Sequence, residues 1–216
     1  MSRIWLRARQ SAVNLWCDPN GIAATEFAVI VPLMLVMFFG TIEFSSGVAV
    51  DRKTTLVART LSDLTSQSSN QAVTDSYIQN VFTASISILY PYATTPINAR
   101  ISQIYVDSTQ TAWIQWSRAA IISSSTATQA TLTTSSRSPG NNVTPLVPTA
   151  LLVKKTFLIF SEVSYLYTPA VGYVMAPAGV TLADSAYTRP RSFSCLSYPT
   201  LSSVPSITTP PTCPMP

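Results

Sequence analysis

An α+β fold is expected for this chain: a long N-terminal transmembrane helix, a second helix, then an antiparallel sheet of about four strands. Three observations predict it. Residues 22–50, IAATEFAVIVPLMLVMFFGTIEFSSGVAV, are an apolar run whose only charges are Glu26 and Glu43. Apolar residues then recur at helical spacing through DRKTTLVARTLSDLTSQ and again through TDSYIQNVFTASISIL. From residue 97 the pattern changes to the two-residue alternation of strands.

Residues 1–21 form a polar leader carrying Arg3, Arg7 and Arg9 against Asp18 alone. The apolar run that follows would extend about 43 Å as a helix, at 1.5 Å per residue. That exceeds the roughly 30 Å hydrocarbon core, so one membrane pass with overhang is predicted over 22–50. No later stretch is comparably long and apolar. The more basic leader keeps the N-terminus cytoplasmic and exports residues 51–216, although Arg52 and Lys53, beside Asp51, oppose this. A cleaved secretory signal fits poorly, because the apolar run is too long and contains Pro32 and Glu26. Cys17, in NLWCDP, lacks the small preceding residues of a lipoprotein site.

Beyond the membrane the same helix continues, with Leu56, Val57, Leu61 and Leu64 on an apolar face and Arg52, Lys53, Arg59 and Asp63 elsewhere. SSNQ breaks it. A second helix runs from Thr74 to about Leu89, capped by Thr74 or Asp75, with Ile78, Val81, Phe82 and Ile86 on one face. Prolines in YPYATTP end it. INARISQIYVD and TAWIQWSRA alternate around the turn DSTQ and so form a hairpin. Residues 123–149, rich in Ser, Thr, Asn and Pro, read as a long irregular insertion that buries little apolar surface. Strand character returns in ALLVKKTFLIFSEVSYLYTP and around Val180–Thr188, and the helices are expected to cover one face of the sheet. The tail, 197–216, is proline-rich and predicted to have little regular structure.

The charge balance is weak. Outside residues 1–21, ten Lys and Arg face eight Asp and Glu, with no basic patch interleaved with aromatics, so nucleic-acid binding is not expected. With no histidine in the chain, Ser-His-Asp and Cys-His machinery and HExxH zinc sites are excluded. Nor do the cysteines form a CxxC, and no metal, cofactor or small-molecule substrate is expected. A carboxylate pair such as Asp107 with Glu162 is better read as a turn residue and a salt-bridge partner than as acid and base. Setting Cys17 aside, Cys195 and Cys213 remain in the exported part. They are either a disulfide pinning the tail, as an oxidising bacterial periplasm would favour, or two free thiols. The composition points to a structural or assembly protein rather than an enzyme.

Gly21, four residues, Glu26 and Phe27 open the apolar run behind a basic leader, and this pattern resembles the processing site of type IV pilin-like proteins. The longer run, with Pro32 and then Gly40, Glu43 and Phe44, resembles the TadE-like minor pseudopilins of tight-adherence (Tad/Flp) pilus systems. EVSYLYTP and AYTRPR are similar to segments of their soluble domains, particularly alphaproteobacterial ones. The resemblance implies a pilin-like fold in the bacterial inner membrane and cleavage by a prepilin peptidase between Gly21 and Ile22. It also implies partnership with other pilins and an inner-membrane assembly platform. Ile22 would then supply a new ammonium, and Glu26 of a staggered neighbour could pair with it, offsetting the roughly 2.5–3.5 kcal/mol cost of a membrane carboxylate. The simpler alternative is a glutamate resting at headgroup level.

Ala24 and Ala28 offer a small-residue strip for helix contact, or are ordinary membrane alanines. Glu43, about 100° around the helix from Glu26, is expected near the periplasmic interface, hydrated or paired with Arg52 or Lys53 of its own or another chain. Minor pseudopilin and pilus assembly protein is therefore the expected role. The alternative is a signal-anchored periplasmic binding or adhesion module that never polymerises.

Overall fold

In the first helix, α1 (Asn20–Ser66), a single internal proline, Pro32, interrupts an otherwise favourable run of Ala, Leu, Met and branched residues. The structure is a computed structural model that describes residues 20–94, 97–122, 124, 129–169, 179–198 and 213. The leader before Asn20 and most of the tail beyond Tyr198 lie outside these residues. Helix residues up to Ser46 belong to one compact unit, while Gly47–Thr168 and Ala178–Pro216 form another.

In the second unit α1 buries a stripe made of Val50, Thr54, Val57, Ala58, Leu61 and Thr65, spaced as one helix face requires. Leu56 departs from expectation: it is 48% exposed, since its neighbours Val57 and Ala58 occupy the core-facing angle. The last turn is closed by serine side chains. Ser62 bonds back to Arg59 O and Ser66 to Asp63 O, and Arg191 N–H donates to Ser66 O. Helix α2 (Asp75–Ile86) is capped by Thr74, whose side chain accepts from Tyr77 N–H. It buries Ile78, Val81, Phe82 and Ile86, as the spacing predicts. A 3₁₀ turn, Ser87–Leu89, completes the helical stretch.

The strands are β1 (Ile97–Val106), β2 (Ala112–Ile121), β3 (Thr131–Thr133), β4 (Thr156–Tyr167) and β5 (Val180–Thr188). They form one five-stranded antiparallel sheet in the order β3-β2-β1-β4-β5. The expected β1–β2 hairpin is present, with a register shift at Gln103/Ile104. On one face Ile97, Ala99, Ile101, Trp116, Ile159, Val163 and Tyr165 share a core with α1 and α2. On the other, Ile104, Val106, Ile114, Leu158 and Phe160 pack with Val143, Val147 and Leu152.

Two expectations are corrected here. The 123–149 stretch contains the fifth strand, β3, because ladder bonds to Ala119–Ile121 of β2 need only backbone groups. It also buries Val143 and Val147 in the second core, where together with Leu152 they cover the sheet face. The tail is likewise more ordered at its start. Ser197 bridges Ala72, and Leu196 and Tyr198 are buried in the first core. Gln103 explains this: its buried amide accepts from Leu196 N–H at 2.7 Å and donates to Leu196 O at 2.8 Å, and Trp116 donates to the same carbonyl.

Candidate functional site

The described first half of α1 is largely apolar and, apart from half-buried Val31 and Gly40 and buried Glu43, exposed. Phe27 is 67% exposed, and Val29, Leu33, Met34, Met37, Phe38 and Phe44 are similarly uncovered. A core helix of a soluble protein would hide one such stripe; in water this surface greatly exceeds the few hundred Å² that folded proteins tolerate. The helix from Ala24 is long and apolar enough to cross a bilayer, with only 6% of its most apolar window buried. About 20 of its residues would span the hydrocarbon.

Gly21 and Ile22 lie in the opening turn of α1. Glu26 follows about one turn later, exposed, with Phe27 beside it. Pro32 has no N–H, so the Ala28 carbonyl loses its intrahelical donor, a defect that membrane helices tolerate. Phe44 continues the exposed run, while Gly40 is half-buried. Glu43 is 4% exposed and has an interaction partner, so of the two expectations the hydrated one does not hold. Lys53, anticipated as its partner, instead donates to the carbonyls of Ile88 and Tyr90 at 2.8 and 2.6 Å. The helical turn keeps Glu26 and Glu43 on different faces.

Cys195 and Cys213 are brought together as a disulfide, Cα–Cα 5.7 Å, closing 18 residues of chain. Cys195 is fully buried.

Asp107 and Glu162 are not brought together. Arg100, not Asp107, faces Glu162 across the ladder, which leaves the two carboxylates about 20 Å apart along β1. Asp107 is a turn residue, accepting from the Thr109 hydroxyl at 2.6 Å, Thr111 N–H at 2.9 Å and the Trp113 indole at 3.1 Å. These bonds, the Thr109 hydroxyl foremost, hold its carboxyl at about 2. Burial pushes Glu162 up, but hydrogen bonds from Arg137 (2.6 Å) and Arg100 (3.0 Å) outweigh it and leave the carboxyl below its ordinary range. Arg100 and Glu162 line an open groove of about 540 Å³ with Asn98, Ser136 and Ser164. A carboxylate clamped between two guanidiniums is held ionised and is a poor proton donor. Among the described residues no three His, Cys, Asp or Glu side chains cluster as metal ligands.

Lys53 and the Leu196–Tyr198 segment carry structure that local sequence reasoning missed. Lys53 lies on a polar helix face like any solvated lysine, and only the chain folding back at Ile88 gives it partners.

No curated protein and no solved structure matches the chain. Residues 21–61, from the glycine ahead of the apolar run to the core-facing Leu61, match the family of TadE-like proteins, and the chain therefore carries a TadE-like segment at the head of its fold.

Proposed function

We propose that this chain is a minor pseudopilin, a pilus assembly protein of a Tad/Flp tight-adherence system. A prepilin peptidase cuts after Gly21, residues 22–50 anchor the product in the inner membrane, and residues 51–216 lie in the periplasm. The observation that carries this reading is a coincidence of position. The Gly21…Glu26-Phe27 pattern heads a helix whose first half is largely apolar and exposed, inside the TadE-like segment. Helices of this kind associate side by side in a bilayer by close packing and by satisfying polar groups.

The physical role of Glu26 follows from burial cost. Cleavage creates an ammonium at Ile22 near the cytoplasmic edge of the membrane. A neighbouring chain displaced along the helix axis presents its Glu26 to that amine, so that two charges costly alone become a pair and fix the stagger of the stack. Phe27 adds apolar contact area beside the pair. Partners in this reading are the peptidase, other pilins and the assembly platform, and the protein performs no catalysis of its own.

N-terminal sequencing of membrane-extracted protein tests the proposal. A mature start at Ile22 is expected. An intact Met1, or a start beyond residue 40, would overturn it in favour of an anchored module that does not assemble.

A further inference from the structure

We infer that the outer edge of β5 takes an added strand: an extended segment of a different polypeptide, with a carboxylate seated beside Arg59.

An edge strand leaves the N–H and C=O of every second residue without a ladder partner. In β5 those residues can be named. The Ser161 hydroxyl on β4 reaches the carbonyl of Ala186, its ladder partner, at 3.4 Å, so Ala186 turns its backbone groups inward to β4. Alternation then turns the N–H and C=O of Thr181, Ala183, Ser185 and Tyr187 outward. Ser185 agrees, since its N–H bonds to the adjacent Asp184 carboxylate at 2.7 Å. Thr181, Ala183 and Ser185 are exposed, and among the described residues no strand pairs on that side.

The two edges of the sheet differ. Beyond β2 lies β3, only three residues long. Further along β2, Ile114 N–H donates to Asn141 O, while Gly140 N–H donates to Ile114 O and Val143 N–H to Ala112 O. That edge is therefore largely closed by its own chain. The edge of β5 has none of the usual guards. It runs for nine residues without proline, lysine or arginine, and its register with β4 is unbroken from Val180 to Thr188, so no bulge twists it away.

An open groove of about 580 Å³ follows this edge along residues 185–188. Arg59 and Asp63 of α1 bound it from the first-core side of the sheet, and Leu151 bounds it from the second-core side. A groove reached from both faces of a sheet lies around its edge. Such a site suits an extended peptide, which main-chain hydrogen bonds hold and side-chain contacts select. Asp63 is already paired with Arg191. Arg59 is exposed and, among the described residues, forms no ion pair. Ala186 packs toward the first core and lines the groove with Arg59. A partner residue opposite Ala186 therefore stands on the Arg59 side, where a carboxylate completes a pair.

A second copy of β5 does not suit this edge. Ala58 O accepts from Ser161 beside Ala186, Ser62 O from Thr188 and Ser66 O from Arg191 N–H, so α1 runs parallel to β5. Antiparallel pairing of two β5 strands would put the two Gly47 ends of α1 at opposite ends of the joined sheet. Two chains that both enter one membrane ahead of Gly47 cannot meet that way, a step that rests on reading residues 22–50 as the anchor. Two-fold parallel pairing would set donors against donors.

Peptide binding tests this. The purified full chain in detergent is titrated with the fluorescein-labelled peptide Thr-Val-Thr-Val-Asp-Val-Thr-Val-Thr and with its lysine-for-aspartate counterpart, and anisotropy is followed. The aspartate peptide is expected to bind about threefold or more tighter than the lysine one, and Arg59→Glu should reverse that preference. Ser185→Pro removes an outward N–H and no β4 bond, so it should weaken both peptides by about tenfold or more without lowering the melting temperature. No binding, equal binding of the two peptides, or binding unmoved by Ser185→Pro overturns the inference. So does a dimer seen by light scattering that Ser185→Pro dissociates, because the occupant is then a second copy. None of these outcomes bears on cleavage after Gly21, so the pilus-assembly reading stands or falls separately.

Discussion

The Ser161 hydroxyl on β4 donates to the Ala58 carbonyl on α1 at 2.7 Å, a buried bond that fixes where the helix crosses the sheet. Both residues are fully buried. Ser161→Ala is expected to lower stability by about 1 kcal/mol, the net worth of one such hydrogen bond. Ala58→Leu should cost more, about 1–3 kcal/mol, because close packing there leaves no room for a larger side chain. Urea denaturation of the detergent-solubilised chain, followed by tryptophan fluorescence, measures both. Because the residues touch, the double variant should depart from additivity.

The disulfide closes 18 residues onto a core-buried Cys195. Restricting the unfolded chain over a loop of this size is worth about 3 kcal/mol. Cys213→Ser should therefore lower the denaturation free energy by about that amount, and reducing agent should affect the parent but not the variant. An unchanged midpoint in both would show that the bridge contributes nothing.

Acid should weaken the domain through Asp107 and Glu162, whose carboxyls are both lowered in the folded state. Each stabilises in full above its unfolded value, near 4, and that stabilisation is lost as pH falls through the folded value, which for Asp107 is about 2. Melting temperature should accordingly be insensitive to these two groups at neutral pH and decline between about pH 4 and 2. Asp107→Asn should melt lower than the parent at pH 7 and converge with it near the acid end. A constant gap between the two curves would sink this account.

Glu26→Ala removes a carboxylate that costs roughly 2.5–3.5 kcal/mol to place in a membrane, so insertion should be undiminished. On the proposed pairing, pilus assembly, scored by electron microscopy of cells, should be lost, because a neighbour's Ile22 amine would be left without its partner. Normal piliation in that strain would refute the pairing.

Much of the architecture is written locally. The core face of α2, its Thr74 cap, the β1–β2 hairpin and the span of β5 all follow from windows of about ten residues. In each, hydrophobic period and capping chemistry are self-contained. The candidate assembly site is legible for the same reason: Gly21, Glu26, Phe27 and Pro32 are near neighbours in the chain, and their motif needs no fold to be read. The Cys195–Cys213 pairing was one of two readings that a cysteine count allows.

What tertiary structure alone decided depends on partners distant in sequence. Leu56 and Val57 are equally apolar, and only the position of the sheet leaves the first in solvent and buries the second. Three residues of a serine- and threonine-rich stretch become β3 because β2 offers them unpaired backbone groups. Leu196 enters the core through the amide of Gln103, 93 residues earlier. Lys53 becomes a clamp on the Tyr90 loop because α2 returns the chain to it. Sequence by itself determined the two helices, four of the five strands and the long apolar helix that could cross a membrane, since these depend on the energetics of adjacent residues. Tertiary structure decided which polar groups are satisfied and which apolar groups are left exposed, because each buried donor or acceptor takes whatever partner the fold brings within reach, and sequence distance is no measure of that reach.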